Sequence, residues 1–306
     1  MNHLGIKIRR MRLLSVAPAL LLLLCTSGYA RTSPCSESPV QLPVSVTDQT
    51  GHPVPNLGTD NFTVTEDGQP RQICRVTSND EPWTIGFVLD NSASTASHLN
   101  WELASITGFL KFANPKNQYF VMGASRPPGL IADFTPLSQQ LAAALAAVQP
   151  GHSTALLDAI SMSIDKMKTA EHSRRALILL SDGGDNHSAH TENDVRSALR
   201  QSSLQVYFIG SPRWDAPTIE ERNAIHEMQD LTSDRGGIMM SVTSGQESAQ
   251  AGGAISVLLR HQYLLAYNSG HQHDDRKWRS VKVTVSQPGS PHAKIYSPTG
   301  YYGPTR

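Results

Sequence analysis

Residues 40–77 alternate apolar and polar positions in short runs, interrupted at Gly51-His52-Pro53 and at Asp67-Gly68, which predicts antiparallel strands joined by turns. Beyond residue 82 the pattern changes. Apolar runs read as strands at 84–90, 118–123, 129–133, 176–181, 205–210 and 237–242, and most are separated by helical segments. The run Ile85-Gly86-Phe87-Val88-Leu89 contains no polar position, as expected of a strand covered on both faces. Leu99, Leu103, Ile106 and Leu110 recur at three-to-four spacing, as do Leu156, Ile160, Ile164 and Met167, so each set predicts a helix with one buried face. Such alternation predicts an α/β fold, a Rossmann-like, doubly wound, mostly parallel sheet covered by helices.

Strands return at 263–267 and 281–285, with Ile295-Tyr296 ahead of an aromatic tail. Neither terminal segment has enough strands for a core of its own. The segments 36–80 and 260–303 are therefore expected to pair as one accessory antiparallel β domain, from which an α/β domain at 82–258 emerges as an insertion. Residues 77–82 and the surroundings of Arg260 are the expected hinges.

The N-terminus has a different character. Lys7, Arg9, Arg10 and Arg12 precede an apolar stretch from Leu13 to Leu24, and Ser27-Gly28-Tyr29-Ala30 places small residues where a signal peptidase needs them. Residues 1–30 read as a signal peptide cut after Ala30, because the apolar stretch falls short of the about 20 residues of a membrane span. A retained anchor is the alternative. The mature chain is thus expected to be exported to the periplasm, cell surface or medium, with no membrane span. Cleavage removes Cys25 and leaves Cys35 and Cys74, an even pair in an oxidising compartment; a disulfide is the expectation and two separate thiols the alternative. With 26 basic and 26 acidic residues, the chain has no excess charge for binding nucleic acid.

The chemistry concentrates at strand ends. Asp90-Asn91-Ser92-Ala93-Ser94 follows the apolar run at 85–89, Thr154 opens the helical pattern Ala155-Leu156-Leu157-Asp158-Ala159-Ile160, and Asp182 follows the run at 176–181. Open α/β sheets bind ligands at that edge. A few carboxylates and hydroxyls plus water suit Mg2+ better than a Cys/His site would. Neutral hydroxyls leave much of the ion's charge uncompensated, so it keeps a place for an outside acid.

Asp90-x-Ser92-x-Ser94, Thr154 in Thr-Ala-Leu-Leu-Asp-Ala and Asp182 in Leu-Leu-Ser-Asp-Gly-Gly resemble, in order and spacing, the metal-ion-dependent adhesion site of von Willebrand factor A domains. The flanks Val44-Ser45-Val46-Thr47-Asp48, Phe62-Thr63-Val64-Thr65-Glu66-Asp67-Gly68 and Tyr263-Leu264-Leu265-Ala266-Tyr267 through Gly300-Tyr301-Tyr302 are similar to those of the A-domain-related proteins expanded in Acidobacteria. The resemblance covers nearly all of the chain after the leader. It implies a protein-binding module, not an enzyme. Asp90, Ser92, Ser94, Thr154 and Asp182 would hold Mg2+ or Mn2+, and the ion would grip an exposed Asp or Glu of a protein partner. Asp158, Asp185 and Asn186 are read as residues that order the loops around these ligands. His152-Ser153 depart from the family, where glycine is common before the Thr.

Other chemistries were weighed. Gly151-His152-Ser153-Thr154-Ala155 looks like a serine-hydrolase elbow with Ser153 as nucleophile, but an elbow needs a strand running into the Ser, and the preceding segment is alanine-rich and helical. An Asp90 phosphoryl-transfer nucleophile would want a second carboxylate where Ser92 stands. His187 with His190, and His271 with His273 beside Asp274-Asp275, have zinc-like spacing without an evident fourth ligand. A structural envelope protein with a vestigial metal site is the remaining alternative.

Overall fold

Strands drawn from the two ends of the chain pair in both accessory sheets. The computed structural model describes residue 1 and residues 34–93, 98–136, 139–210, 219–271, 275–286 and 292–303; the expected leader (Met1 apart), Ser94, His273 and Asp274 lie outside these residues. The N-terminal strands are β1 (Val40–Thr47), β2 (Phe62–Glu66), β3 (Gln69–Arg71) and β4 (Ile73–Thr77). Six strands follow in the middle of the chain: β5 (Trp83–Leu89), β6 (Gln118–Gly123), β7 (Gly129–Pro136), β8 (Arg174–Leu180), β9 (Gln205–Gly210) and β10 (Met239–Ser241). The C-terminal strands are β11 (Tyr263–Tyr267), β12 (Trp278–Val285), β13 (Lys294–Tyr296) and β14 (Gly300–Tyr302).

One accessory sheet has the order β13-β1-β11-β4 and the other β14-β12-β2-β3. Val40 lies opposite Tyr267 and Val281 opposite Glu66, both in antiparallel pairs. Alternate side chains from the two sheets, among them Val44, Val46, Val64, Leu265 and Val283, fill one shared core. This explains why neither terminal segment could fold by itself.

The disulfide Cys35–Cys74 closes a loop of 39 residues at the edge of this sandwich. Cross-linking a loop of that length restricts the unfolded chain by about 3–4 kcal/mol. The double variant Cys35→Ser/Cys74→Ser is expected to lose stability of that order, read as a lower urea midpoint, with a steeper slope because the unfolded chain is released; coincident unfolding curves would refute the contribution.

Glu66 ties the sandwich together from within. Its carboxylate, with no side-chain exposure, accepts hydrogen bonds from the Tyr267 hydroxyl (3.0 Å), the Tyr301 hydroxyl (2.8 Å), Ser269 Oγ (2.9 Å) and the Gly270 N–H (3.2 Å). Arg71 Nε stands 3.4 Å away.

The central sheet has the order β10-β9-β8-β5-β6-β7 and is parallel except where β7 runs antiparallel to β6. Two expected strands change length. The strand expected at 129–133 continues to Pro136 because β6 offers partners as far as Gln118, while that at 237–242 contracts to three residues because it is an edge strand paired only with β9. Helices α1 (Leu99–Phe112), α2 (Gln139–Ala146) and α6 (Gly245–Arg260) cover one face, and α3 (Leu156–Met167), α4 (Glu192–Gln201) and α5 (Ile219–Asp234) the other. In α1 the buried stripe is Leu99, Glu102, Ser105, Ile106 and Phe109, with Leu103 and Leu110 half-buried beside it. The apolar periodicity had placed the last two at its centre; a charged residue takes part of that face instead.

The two chain crossings lie side by side. Arg260 donates from Nε (2.8 Å) and Nη2 (2.6 Å) to Asp80 Oδ2, so one crossing is clasped to the other. Next to it, Gln262 Nε2 donates to Ser45 Oγ in the sandwich (3.1 Å) and to Gln205 Oε1 in the central sheet (3.0 Å). From Pro34 onward the described residues form one compact unit; Gln262, Ser45 and Gln205 are buried at the seam, whereas the Arg260–Asp80 clasp lies at the surface.

Candidate metal centre

Three loops are stitched together by backbone hydrogen bonds at the C-terminal edge of β5 and β8. The Asp90 N–H donates to Leu180 O (2.8 Å), which fixes the start of the first loop against the end of β8. The first and second loops then pair directly. The Gly151 N–H donates to Asn91 O (2.6 Å) and the Ala93 N–H to His152 O (2.7 Å). A side chain at residue 151 would place its Cβ 1.8 Å from Ser125 Oγ, the hydroxyl that accepts the His152 N–H, so glycine is required at this crossing. Farther on, the Ala155 N–H donates to Ala124 O (2.8 Å), and the third loop joins through the Asn186 N–H to Thr154 O (3.4 Å).

Within this frame Asp90 and Ser92 are fully buried and Thr154 is 3% exposed. Asp90 Oδ1 accepts the Ser92 N–H (3.1 Å), an Asx-type turn, and Oδ2 accepts Ser181 Oγ (2.7 Å). Asp182 follows Ser181 and its Oδ1 accepts the Gly184 N–H (2.9 Å); Gly183, at φ 90°, makes the turn between them. Burial pushes the Asp90 carboxyl up, and the charge of Asp182 adds to that, against the hydrogen bonds from Ser92 and Ser181. The structure therefore brings Asp90, Ser92, Thr154 and Asp182 to one rim, while Ser94 is outside the described residues.

The three surrounding residues have separate tasks. Asp185 caps α3 by accepting the Leu157 N–H (2.8 Å) on Oδ2, and it holds its own loop through Ser188 Oγ (2.6 Å) and the His187 N–H (3.2 Å). Asp158 accepts the Ala189 and His190 N–H groups (3.0 and 2.9 Å) and the His190 ring (2.7 Å between Nδ1 and Oδ1). Burial works to raise its carboxyl, and these bonds outweigh it and hold the group below its usual range. Asn186 contributes its backbone to the second loop and its side-chain oxygen to His187 Nδ1 (2.6 Å). The histidines considered for zinc are thus engaged singly: His190 with Asp158, His187 with Asn186, and His271 Nε2 with Asp67 Oδ2 at 3.2 Å. Among the described residues no three His, Cys, Asp or Glu side chains converge as a metal cluster of their own.

Ser153 sits in the loop following α2, and its carbonyl accepts a hydrogen bond from the Arg126 N–H (2.8 Å); no strand runs into it. The strand-turn-helix geometry of a hydrolase elbow is absent at this described position.

Sequence reasoning missed Glu102. It lies on the buried face of α1, 8% exposed, and burial together with the charges of Asp90 and Asp182 pushes its carboxyl well up. The available signal was a glutamate three residues after Leu99 and four before Ile106, on the apolar face of the helix that follows Asp-x-Ser-x-Ser. The charges of Asp90 and Asp182 act on Glu102 without making it a ligand, and the two aspartates with the neutral oxygens of Ser92 and Thr154 are a hard oxygen donor set whose chemistry fits a divalent cation.

Residues 85–184 match the family model of the von Willebrand factor type A domain. The matched span holds β5 to β8 and α1 to α3 of the central sheet and its covering helices. Among solved structures, the chain is similar to a von Willebrand factor type A protein from Catenulispora acidiphila, with 10% identity, TM-score 0.49 and coverage of 85% of this chain and 73% of that one. It is also similar to the vWF domain of the type V pili tip protein Mfa5 from Porphyromonas gingivalis, with 13% identity, TM-score 0.46 and coverage of 57% and 94%. A third is proximal thread matrix protein 1 from the mussel byssus, whose structure has a zinc-occupied MIDAS motif, with 17% identity, TM-score 0.49 and coverage of 62% and 49%. No curated protein matches the chain.

Proposed function

We propose that this protein is an exported, metal-dependent protein-binding module that captures an Asp or Glu of a partner through Mg2+ or Mn2+. The ion would be held by Asp90, Ser92, Ser94, Thr154 and Asp182. The observation that carries this reading is the stitching of three separate loops, which sets two carboxylates and two hydroxyls on one rim of a von Willebrand factor type A domain. The bound ion supplies a Lewis-acidic coordination position open to an outside carboxylate. Nothing in the proposed mechanism requires bond making, so the protein acts by binding and not by catalysis. The disulfide supports an oxidising, extracytoplasmic location, and no described helix is long and apolar enough to cross a membrane.

Titration of Mg2+ or Mn2+ into metal-free protein by calorimetry tests the site, with one ion per chain expected. Thr154→Ala removes one neutral oxygen and is expected to weaken binding by about tenfold, about 1.4 kcal/mol in the range of a single lost polar contact. A partner retained on the immobilised chain should be released by chelator and recaptured on return of Mg2+. Absence of metal binding by the wild type would sink the reading.

A further inference from the structure

Glu102 is placed where an ordinary surface glutamate would not be tolerated. Its residue is 8% exposed, and its Oε2 is buried with no hydrogen-bond partner. A buried carboxyl oxygen without a donor destabilises a fold, so its retention calls for a compensating interaction. The oxygen borders a small cavity of about 10 Å3, whose lining includes Ser105, Ser181, Asp182, Gly210 and Ser248 as well as Glu102. That volume accommodates about one water molecule.

The polar neighbours are engaged elsewhere. Ser105 Oγ donates to Trp101 O (3.2 Å), Ser181 Oγ to Asp90 Oδ2 (2.7 Å) and Ser248 Oγ to Ser244 O (2.9 Å), leaving none of these hydroxyl protons for Glu102. Among the described residues no lysine or arginine lines the cavity. The rest of its polar lining is the His98 and Trp101 rings, packed edge to face with centroids 4.6 Å apart, and the Asp182 carboxylate, which stands among the candidate metal ligands.

We propose that Glu102 is a positioning residue of the metal centre, acting on the ion from inside the protein through one water in the cavity it shares with Asp182. This rests on the metal reading above. Such a water would donate to Glu102 Oε2 beside the Asp182 carboxylate, so that a third carboxylate would bear on an ion held by Asp182 without a direct bond. Carboxylates that orient metal-bound groups in this way typically change metal affinity by about 10–100-fold. The helix α1 thereby couples to the ion, since Glu102 is carried one turn inside its N-terminus.

The experiment is a calorimetric titration of Mn2+ and of Mg2+ into the full mature chain as wild type, Glu102→Gln and Glu102→Asp, with thermal melts of each in chelator. Glu102→Gln keeps the shape and removes the charge; it is expected to bind either ion about 10–100-fold more weakly while its metal-free melt shows a folded protein. Glu102→Asp keeps the charge one methylene farther back and is expected to recover part of the affinity. If the wild type binds and both variants bind within about twofold of it, Glu102 is only a packing residue and the proposal is overturned. If the wild type itself binds neither ion, the metal reading fails and takes this proposal with it. Should Glu102→Gln not fold, the Glu102→Asp titration alone decides: affinity equal to wild type in the presence of a shortened side chain overturns the water-mediated geometry.

Discussion

Asp90→Ala is expected to abolish Mg2+ binding and leave the protein folded. Asp90 leaves β5 at the centre of the rim, fully buried, with Oδ1 on the Ser92 N–H and Oδ2 on Ser181 Oγ. Removing it takes away charge and geometry together, because those two bonds also position Ser92 and the residue before Asp182. The folded state should tolerate the change: the apolar side chains of β5 and β8 are buried in cores on both sheet faces and do not depend on the rim. A melting experiment with and without metal separates the two effects. At a Mg2+ concentration about 100 times Kd, binding stabilises the wild type by about 2.7 kcal/mol, or roughly 4–5 °C for a protein of this size. Asp90→Ala should show no such rise and an unchanged circular-dichroism spectrum. An equal rise in both proteins would remove Asp90 from the site.

The second large effect is expected from Glu66→Ala. Two tyrosine hydroxyls, a serine hydroxyl and a backbone N–H from the C-terminal segment converge on this one N-terminal carboxylate. Truncation would leave those donors, and Arg71 beside them, without their acceptor inside the sandwich. The cost is about 3–5 kcal/mol, visible as a lower denaturant midpoint. Residues after Arg260 should also become protease-sensitive before the central sheet does. The pH dependence has a definite sign. Burial raises the Glu66 carboxyl, but the bonds from Tyr301, Ser269, Tyr267 and Gly270 outweigh it and hold the folded group below its ordinary 4.5. Its contribution is therefore present above the unfolded carboxyl's pKa and is lost as the pH falls through the depressed folded value. Glu66→Gln should lose that acid-labile component. A wild type and variant whose stabilities fall in parallel below about pH 4.5 would show that Glu66 does not supply it.

Much of the arrangement was legible in residue order. The unbroken apolar run at 85–89 and its partner at 176–180 could only be central strands, and a strand end in such a sheet is where a ligand site forms. Asp90 and Asp182 followed from that. Alternation at both ends of the chain, each with too few strands, likewise required the two ends to pair, and β1 with β11 and β2 with β12 do so. Less was legible where a residue's role depends on distant neighbours. An ion pair between Asp80 and Arg260 joins the two segments expected as hinges, and periodicity carries no information about a pair 180 positions apart.

The sequence by itself determined the class of fold, the edge of the sheet at which the acidic and hydroxyl side chains gather, and the pairing of the chain's two ends. These depend on local periodicity and on the need of each strand for a partner. Only the tertiary structure decided that Asp185 caps α3 and Asp158 holds the third loop, that Gly151 must lack a side chain against Ser125, and that Glu102 lies inside the rim beside Asp182. Each of these is set by approach between segments remote in the chain, where hydrogen-bond geometry and desolvation choose the role and residue type alone does not.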